Sequence, residues 1–258
     1  MLKAVLFDVD GTLAETEEFH RQAFNAVFAA YAMDHVWSKD QYRELLKVTG
    51  GKERLAAYFA AQGIVIPESR IRELHIAKNA GYAQGIASGA ALRPGIRRLM
   101  TEARAAGLPL GIATTTSEAN LDALLRPVLG AGWSASFACM VAGDQVARKK
   151  PAPDVYQACL QRLGLAPDEC VAIEDSAVGV RSAHAAGIAV LVTPSSYTDH
   201  DDFSLAEACV PDLGEPDRTW GRAVAGFPAG YVRLDDLRKL VAIRAAGAAV
   251  KGEYLASH

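Results

Sequence analysis

The sequence predicts an open α/β fold with a helical segment inserted after its first strand. Short apolar runs alternate with stretches of helical periodicity, and such runs are typical of strands buried on both faces of a parallel sheet. The stretch between Asp8 and Leu108 interrupts this alternation, because it holds helical patterns and no good strand candidate. The alternation predicts parallel strands that are joined by right-handed crossovers.

The strand candidates are rich in Val, Ile or Ala and end in polar or small residues. Apolar residues recur at helical spacing between them, as at 96–103, 155–163 and 177–186. This spacing predicts helices that cover the sheet. The strand candidates are residues 3–8, 108–114, 139–142, 170–174 and 188–193.

The interval after the first strand contains helical patterns at 16–31, 39–46, 51–62 and 68–85. Phe24, Val27 and Phe28 form an apolar stripe on the first of them. We interpret residues 14–91 as an inserted helical domain, and residues 1–13 with 92–258 as a discontinuous α/β core. The small residues at 85–91 predict a flexible hinge. A terminal helix is expected at 234–249.

The composition of the chain excludes several classes of protein. Its 258 residues are 50% hydrophobic and 22% charged, with a net charge of -3, which excludes a disordered polymer. A pI near 6.1 argues against a dedicated nucleic-acid binder. The chain has no apolar stretch long enough for a membrane span and no signal-peptide pattern. Four cysteines without CxxC spacing predict reduced thiols, and we expect a cytoplasmic monomer.

The strongest chemical signal is the run DVDGT, which follows the first predicted strand and carries Asp8 and Asp10. A chance match to its fixed positions is on the order of 10⁻³ for such a chain. Ligands of open α/β sheets bind beyond the carboxyl ends of the strands, where both carboxylates would lie. Gly11 permits the sharp turn away from the sheet. The alternative is a DG turn with two solvated carboxylates.

A second acidic pair, Glu174 and Asp175, ends another predicted strand and would reach the same edge of the sheet. Two carboxylates ~4 Å apart repel by about 4 kcal/mol at an effective dielectric of about 20, so such a cluster calls for a cation or for protonation of some of its acids. Oxygen ligands without Cys or His select Mg²⁺. The alternative for this pair alone is a helix N-terminus that favours acidic residues.

Lys150 and Thr114 complete the set of strand-end candidates. Lys150 precedes a proline in a loop, where its ammonium would balance the carboxylates and hold a phosphate oxygen. Thr114 would donate its hydroxyl to phosphate, with Thr115 and Thr116 as rival candidates. Lys149 suits an ordinary surface loop better. All four signals share one placement, at the end of a predicted strand or in the loop after it.

Taken in order, these motifs resemble the haloacid dehalogenase-like (HAD) superfamily of phosphohydrolases. The resemblance extends from the first strand to about residue 193. It implies a Rossmann-like parallel sheet core with an inserted α-helical cap domain. The matching residues are Asp8 to Thr12 for the DxDGT motif, Thr114 for the strand-end hydroxyl, Lys150 for the KPxPD-like loop, and Glu174 with Asp175 for the acidic pair.

The resemblance also implies catalytic roles. Asp8 would attack phosphorus and form an aspartyl-phosphate. Asp10 would protonate the leaving alkoxide and then deprotonate water, a role that asks for a raised pKa. Thr114 and Lys150 would stabilise charge on the transferring phosphoryl group. The implied cofactor is Mg²⁺, and its implied ligands are Asp8, the backbone carbonyl of Asp10, Asp175 and, directly or through water, Glu174.

Candidate substrate-binding residues lie mostly in the predicted helical domain. Glu17 and His20 share a helix face, although His20 also suits a plain surface position. The run TGGKER at 49–54 is a glycine turn with two cations that can offer N–H groups and charge to a phosphate, or merely a helix start. The remaining candidates are Tyr42, Gly50, Gly51, Lys52, Arg54, Lys78, Asn79 and Thr115.

The runs at 15–20 and 49–54 are similar to those of the subgroup with β-phosphoglucomutase and the CbbY-type sugar-phosphate phosphatases. The CbbY type implies removal of the C1 phosphate from xylulose 1,5-bisphosphate, an inhibitory by-product of Rubisco, with Lys52 and Arg54 on the distal phosphate. The substrate is then a small sugar bisphosphate, with no nucleic-acid or membrane partner. The alternatives are a phosphomutase and a non-catalytic phosphosugar-binding module. Thr12 favours hydrolysis over transfer.

Overall fold

The computed structural model describes residues 1–221 and 224–247. Within these ranges the strands are β1 (Ala4–Phe7), β2 (Leu110–Ala113), β3 (Cys139–Val141), β4 (Cys170–Glu174), β5 (Ala189–Val192) and β6 (Ala208–Cys209). They form one parallel sheet in the order β3-β2-β1-β4-β5-β6. The strand order reverses between β1 and its neighbours β2 and β4, and ligands of such sheets bind at this switch point. The predicted α/β class is confirmed.

The five predicted runs each contain one of the first five strands. Polar residues at the ends of the runs lie just outside the strands, as Asp8 does after β1 and Thr114 after β2. Strand β6 was not predicted, because two residues carry no periodic signal. The predicted strands therefore have the right positions, and their functional residues lie at the carboxyl ends.

Four helices occupy residues 14–91, which we call the helical insert. They pack around a hydrophobic cluster of their own, in which Phe24, Phe28 and Trp37 are almost completely buried. The apolar stripe of the first helix is thus its packed face. The division of the chain into domains at 13/14 and 91/92 stays a prediction. The helices are α1 (Glu17–Ala30), α2 (Lys39–Leu45), α3 (Gly51–Ala61) and α4 (Glu68–Gly89).

The prediction of a flexible hinge over residues 85–91 is wrong for most of that segment. Helix α4 continues to Gly89, and the N–H of Ala90 still donates to the carbonyl of Ile86. Ile86 is buried in the core cluster, which keeps the segment helical. Gly85 lies against the ring of Phe19, so its missing Cβ serves close packing and not flexibility.

Helices cover both faces of the sheet because side chains alternate along each strand. In β1, Val5 and Phe7 join one hydrophobic cluster, whereas Ala4 and Leu6 join another on the opposite face. The covering helices are α5 (Ile96–Ala105), α6 (Glu118–Leu129), α7 (Asp154–Leu163), α8 (Ala177–Ala185) and α9 (Leu234–Ala245).

The predicted terminal helix at 234–249 corresponds to α9, and its last two residues lie outside the described residues. Helix α6 was not predicted, although Ser117 caps it by accepting from the N–H of Asn120. Across the described ranges, we find no helix with both the length and the apolar character to cross a membrane.

Candidate active site

Polar side chains converge where the central strands end. Asp8 follows β1, Thr114 follows β2, Asp175 follows β4, and Lys150 lies in the loop between β3 and α7. All four line a cavity of about 810 Å³ whose other wall belongs to the helical insert. The shared edge that the sequence predicts is therefore present.

Lys150 is the centre of a buried ionic network. Its Nζ lies 2.7 Å from Asp8 Oδ1 and 2.7 Å from Glu174 Oε1. The hydroxyl of Tyr156, which was not predicted, also donates to Glu174 Oε1 at 2.5 Å. Burial acts to lower the pKa of Lys150, but the charges of Asp8 and Glu174 outweigh it and raise this pKa. The ammonium is therefore charged and oriented toward Asp8.

Carboxyl groups outnumber the Lys150 ammonium at the strand ends. Asp8, Glu174 and Asp175 each offer an oxygen, and the three oxygens lie within 4.8 Å of one another. Burial raises the pKa of Asp8 to about 8, with a contribution from Glu174 and against the charge of Lys150. Burial and the charges of Asp8 and Glu174 also raise the pKa of Asp175 well above its usual range.

The residues at this position fit a hard divalent cation. Their donors are carboxylate oxygens, which suit Mg²⁺. Among the described residues, Glu174 Oε2 is buried and has no hydrogen-bond partner. Gly11 has a φ of 84°, and a Cβ there would overlap the carboxylate of Asp175. A glycine thus allows the Asp10–Gly11 turn to approach the acidic cluster closely.

Asp10 has a different environment from Asp8, because its partners come from the helical insert and the loop that enters it. Its Oδ1 accepts from the hydroxyl of Thr16 at 2.6 Å and lies 3.2 Å from His20 Nε2. The other ring nitrogen of His20 lies 2.5 Å from the Nζ of Lys78. The imidazole stacks on the ring of Tyr82 with centroids 3.9 Å apart. A Lys78–His20–Asp10 chain therefore crosses from the insert to the core.

This chain corrects two predictions. The pKa of Asp10 is not raised. Burial acts to raise it, but the charge of protonated His20 and its hydrogen bond act in the opposite direction. With the contributions of Thr16 and Lys78, they lower the pKa of Asp10 to about 2. His20 is not a surface residue, since it is 6% exposed. Burial lowers the pKa of Lys78 to about 7. The sequence-based reasoning missed Thr16 because nothing in its local pattern places it beside Asp10.

The insert side of the cavity carries the other predicted residues. Arg54 donates to the hydroxyl of Tyr42 at 2.9 Å and to the carbonyl of Leu45 at 3.1 Å. Tyr42 is fully buried behind the wall, and its hydroxyl donates to Glu17 at 3.1 Å. Tyr42 therefore orients the residues beside it without lining the cavity. The candidates that do line it are Glu17, His20, Gly50, Gly51, Lys52, Arg54, Lys78, Asn79 and Thr115.

Two contacts, neither of which was predicted, join the insert to the core beside the cavity. Lys149 pairs with Glu53 at 2.6 Å, so its interpretation as an ordinary surface residue is wrong. The hydroxyl of Thr49 donates to the backbone carbonyl of Lys150. His75 lines the cavity nearby, and burial, aided by Lys78 and other cations, lowers its pKa to about 4. The only sequence signal for Lys149 was its position next to Lys150.

The sequence did not decide which of the threonines at 114, 115 and 116 contacts a ligand. All three line the cavity. Thr114 is 1% exposed, and its hydroxyl accepts from the N–H of Thr116 at 3.2 Å. Asn120, at the start of α6, donates to the hydroxyl of Thr116 at 3.2 Å and to Asn79 at 3.4 Å. The Asn120 contact ties the strand ends to helix α4 of the insert.

Comparison with known proteins defines the class. Residues 2–187 match the family model of haloacid dehalogenase-like hydrolases. Protein CbbY from Rhodobacter capsulatus is 54% identical over 213 residues, which are 82% of this chain and 94% of that protein. The chain belongs to the haloacid dehalogenase-like hydrolase family, and its predicted class of enzyme, a phosphatase, is confirmed.

Solved structures narrow the similarity to one branch of that family. CbbY from Rhodobacter sphaeroides in complex with phosphate is 46% identical, with a TM-score of 0.80 over 83% of this chain and 96% of that one. A mutant of that CbbY in complex with xylulose-(1,5)bisphosphate is 45% identical, with a TM-score of 0.79 over 84% and 96%. The predicted similarity to the CbbY type is thereby confirmed.

Proposed function

We propose that this protein is a Mg²⁺-dependent sugar-bisphosphate phosphatase that hydrolyses the C1 phosphate of xylulose 1,5-bisphosphate and releases xylulose 5-phosphate. One observation carries the proposal: a single cavity has a carboxylate cluster with Lys150 at its core end and cations at its insert end. Similarity to a CbbY that binds xylulose-(1,5)bisphosphate supports the choice of sugar.

In the first step, a carboxylate oxygen of Asp8 attacks phosphorus, and the bond from phosphorus to the C1 oxygen breaks. Lys150 lies 2.7 Å from Asp8 Oδ1, so its ammonium is placed to orient the nucleophile and to stabilise phosphoryl oxygens. The hydroxyl of Thr114, which also lines the cavity, would donate to a phosphoryl oxygen. The leaving oxygen takes a proton from Asp10, and the phosphoryl group remains on Asp8 as an aspartyl-phosphate.

Water then hydrolyses the aspartyl-phosphate. Asp10 takes a proton from the water, whose oxygen attacks phosphorus and frees Asp8 and inorganic phosphate. With a pKa of about 2, the Asp10 carboxylate is ionised at neutral pH, as a base has to be. For the acid role Asp10 has to take up a proton when the substrate arrives, and the negative phosphate favours this because a nearby like charge raises a carboxyl pKa.

The residues that would hold Mg²⁺ are Asp8, Asp175, the backbone carbonyl of Asp10 and, directly or through water, Glu174. A bound cation supplies positive charge that keeps Asp8 ionised and offsets its repulsion from the phosphate. Glu174 has a second task, because its Oε1 holds Lys150 in place. The helical insert acts as the cap, with Lys52 and Arg54 toward the distal phosphate.

Release of inorganic phosphate with Mg²⁺ across a panel of sugar phosphates tests the proposal. The panel contains xylulose 1,5-bisphosphate, ribulose 1,5-bisphosphate, β-glucose 1-phosphate and fructose 1,6-bisphosphate. We expect a strong preference for xylulose 1,5-bisphosphate over ribulose 1,5-bisphosphate. Isomerisation of β-glucose 1-phosphate without free phosphate would identify a mutase and overturn the proposal.

A further inference from the structure

The loop at 195–199, which follows β5, is anchored in the helical insert by a single aromatic side chain. Tyr197 is 4% exposed and belongs to the hydrophobic cluster of the insert, although its backbone belongs to the core. Its ring meets that of Tyr42 edge to face, with centroids 5.7 Å apart. Its hydroxyl donates to Glu18 on α1. Tyr197 thus packs as a part of the insert.

The neighbouring residues of this loop hold Asp175 of the acidic cluster. The Thr198 hydroxyl donates to the backbone carbonyl of Asp175 at 2.7 Å and lies 3.2 Å from its carboxylate Oδ2. The hydroxyls of Ser195 and Thr198 are 2.8 Å apart, and the N–H of Ser195 donates to Thr198 at 2.9 Å. A hydroxyl carries one proton, so two hydroxyls are needed to serve both the carbonyl and the carboxylate of Asp175.

Polar contacts with the insert strengthen the same connection. Arg43 on α2 donates to the carbonyl of Ser196 at 2.9 Å. The hydroxyl of Ser196 donates to Glu15 at 3.2 Å. Residue 196 is therefore held from the insert on both sides. It lies in the chain between Ser195 and Thr198, which both hydrogen-bond Asp175. Any displacement of the insert relative to the core acts on this loop.

We propose that Tyr197 is a positioning residue that couples the seating of the helical insert to the orientation of the Asp175 carboxylate. When the insert is seated, Tyr197 holds the loop so that Ser195 and Thr198 present Asp175 to a divalent cation. Coupling of two binding events is reciprocal, so cation binding then favours the seated insert. Tyr42 contacts both Tyr197 and Arg54. Arg54, which we propose to face the distal phosphate, is therefore connected to the Asp175 carboxylate through these two tyrosines. The inference rests on the proposed function.

The test compares Mg²⁺ binding by calorimetry on the full chain without substrate. Tyr197→Ala removes the anchor, and we expect Mg²⁺ affinity to fall by about tenfold, within the usual range of coupling between sites. Tyr197→Phe keeps the ring and loses only the hydroxyl, so its affinity should stay close to the original. Tyr31→Ala is the matched control, because Tyr31 packs against the same cluster without contacting the loop. Its Mg²⁺ affinity should stay unchanged.

Kinetics separate positioning from general loss of structure. In Tyr197→Ala, phosphate release from xylulose 1,5-bisphosphate should require about tenfold more Mg²⁺, and saturating Mg²⁺ should restore most of kcat. If Tyr197→Ala does not fold, Thr198→Val and Thr198→Ser take its place. Thr198→Val should lose Mg²⁺ affinity, and Thr198→Ser, which keeps the hydroxyl, should recover it.

The outcomes separate this inference from the proposed function. Equal Mg²⁺ affinity in Tyr197→Ala and Tyr31→Ala would overturn the role of Tyr197. If Tyr197→Ala does not fold, an unchanged Mg²⁺ affinity in Thr198→Val would overturn that role instead. An original chain that binds Mg²⁺ but releases no phosphate from the sugar panel would overturn the proposed function alone. The calorimetric comparison would still decide the role of Tyr197 in that case.

Discussion

The two ends of the cavity differ in the sign of their charge and in the way the fold holds it. At the core end, Asp8 and Asp175 follow neighbouring strands of one sheet, and the ammonium of Lys150 bonds to Asp8. At the insert end, Lys52 and Arg54 come from the first turns of α3. The core end therefore has a surplus of carboxylates that suits a cation, and the insert end has cations that suit an anion.

Under the proposed function, the reaction takes place at the core end of the cavity and the substrate is recognised at the insert end. Strand ends are set by the backbone ladder, so the strand-end residues that we propose to react have little freedom. Helix and turn residues depend on how the insert is seated on the core, and one ion pair that joins the two, Glu53–Lys149, is partly exposed. Variants at the core end, and at His20 where the insert meets Asp10, should thus affect the rate, and variants at Lys52 and Arg54 should affect the choice of substrate.

The largest effect is expected for Asp8→Asn. An amide cannot form the aspartyl-phosphate, so kcat should fall by on the order of 10⁴-fold or more, as for loss of other nucleophiles. Circular dichroism should show an unchanged fold, because the substitution removes one charge from a crowded acidic cluster. Substantial turnover in this variant would remove Asp8 from the role of nucleophile.

Removal of divalent cations tests the charge surplus at the core end. Treatment with EDTA should abolish phosphate release, and added Mg²⁺ should restore it. Mg²⁺ at about 100 times its Kd should stabilise the fold by about 2.7 kcal/mol, because only the native chain assembles the site. Thermal unfolding with and without Mg²⁺ measures this difference. An activity that survives EDTA would show that the carboxylates work without a cation.

His20→Ala tests the point where insert and core meet at Asp10. Loss of the hydrogen bond should lower kcat by about 10²-fold, the lower end for acid–base catalysis. His200→Ala, at an exposed histidine, is the matched control and should keep full activity. Equal rates in the two variants would show that the insert does not orient Asp10.

His20→Ala should also change how the free energy of unfolding depends on pH. The pKa of Asp10 is lowered from 3.8 to about 2, so its contribution is present above pH about 4 and is lost as pH falls through 2. This lowering of the pKa corresponds to about 2 kcal/mol in the free energy of unfolding. In His20→Ala the pKa of Asp10 should rise toward 3.8, and denaturant unfolding between pH 4 and 2 should depend less on pH.

The smallest effect is expected for Lys52→Ala at the insert end. KM for a sugar bisphosphate should rise by about tenfold, since a charged hydrogen bond is worth about 1.5 kcal/mol. Hydrolysis of a small aryl phosphate, which has no second phosphate, should be unchanged. Lys47→Ala removes a nearby exposed lysine and serves as the control. A similar change for both substrates would argue against a distal phosphate site here.

Much of the core end could be predicted from the sequence because a buried parallel strand has a continuous apolar signal and an evident end. Asp8, Thr114 and Asp175 lie at that edge for this reason alone. The partners of Asp10 could not be predicted in the same way. Helix packing brings His20 to this carboxylate and Lys78, 58 positions further along the chain, to the other side of the His20 ring. The direction of the Asp10 pKa was therefore predicted wrongly.

The sequence by itself determined five strands of the sheet, the helices of the insert and the polar residues at the strand ends, because hydrophobic periodicity and strand-end position are local properties. Only the tertiary structure decided the burial of His20 and the pairing of Lys149 with Glu53. It also decided that α4 continues to Gly89. It also placed Tyr197 of the core inside the insert. These outcomes depend on contacts between distant segments, and electrostatic energies follow distance and burial in space.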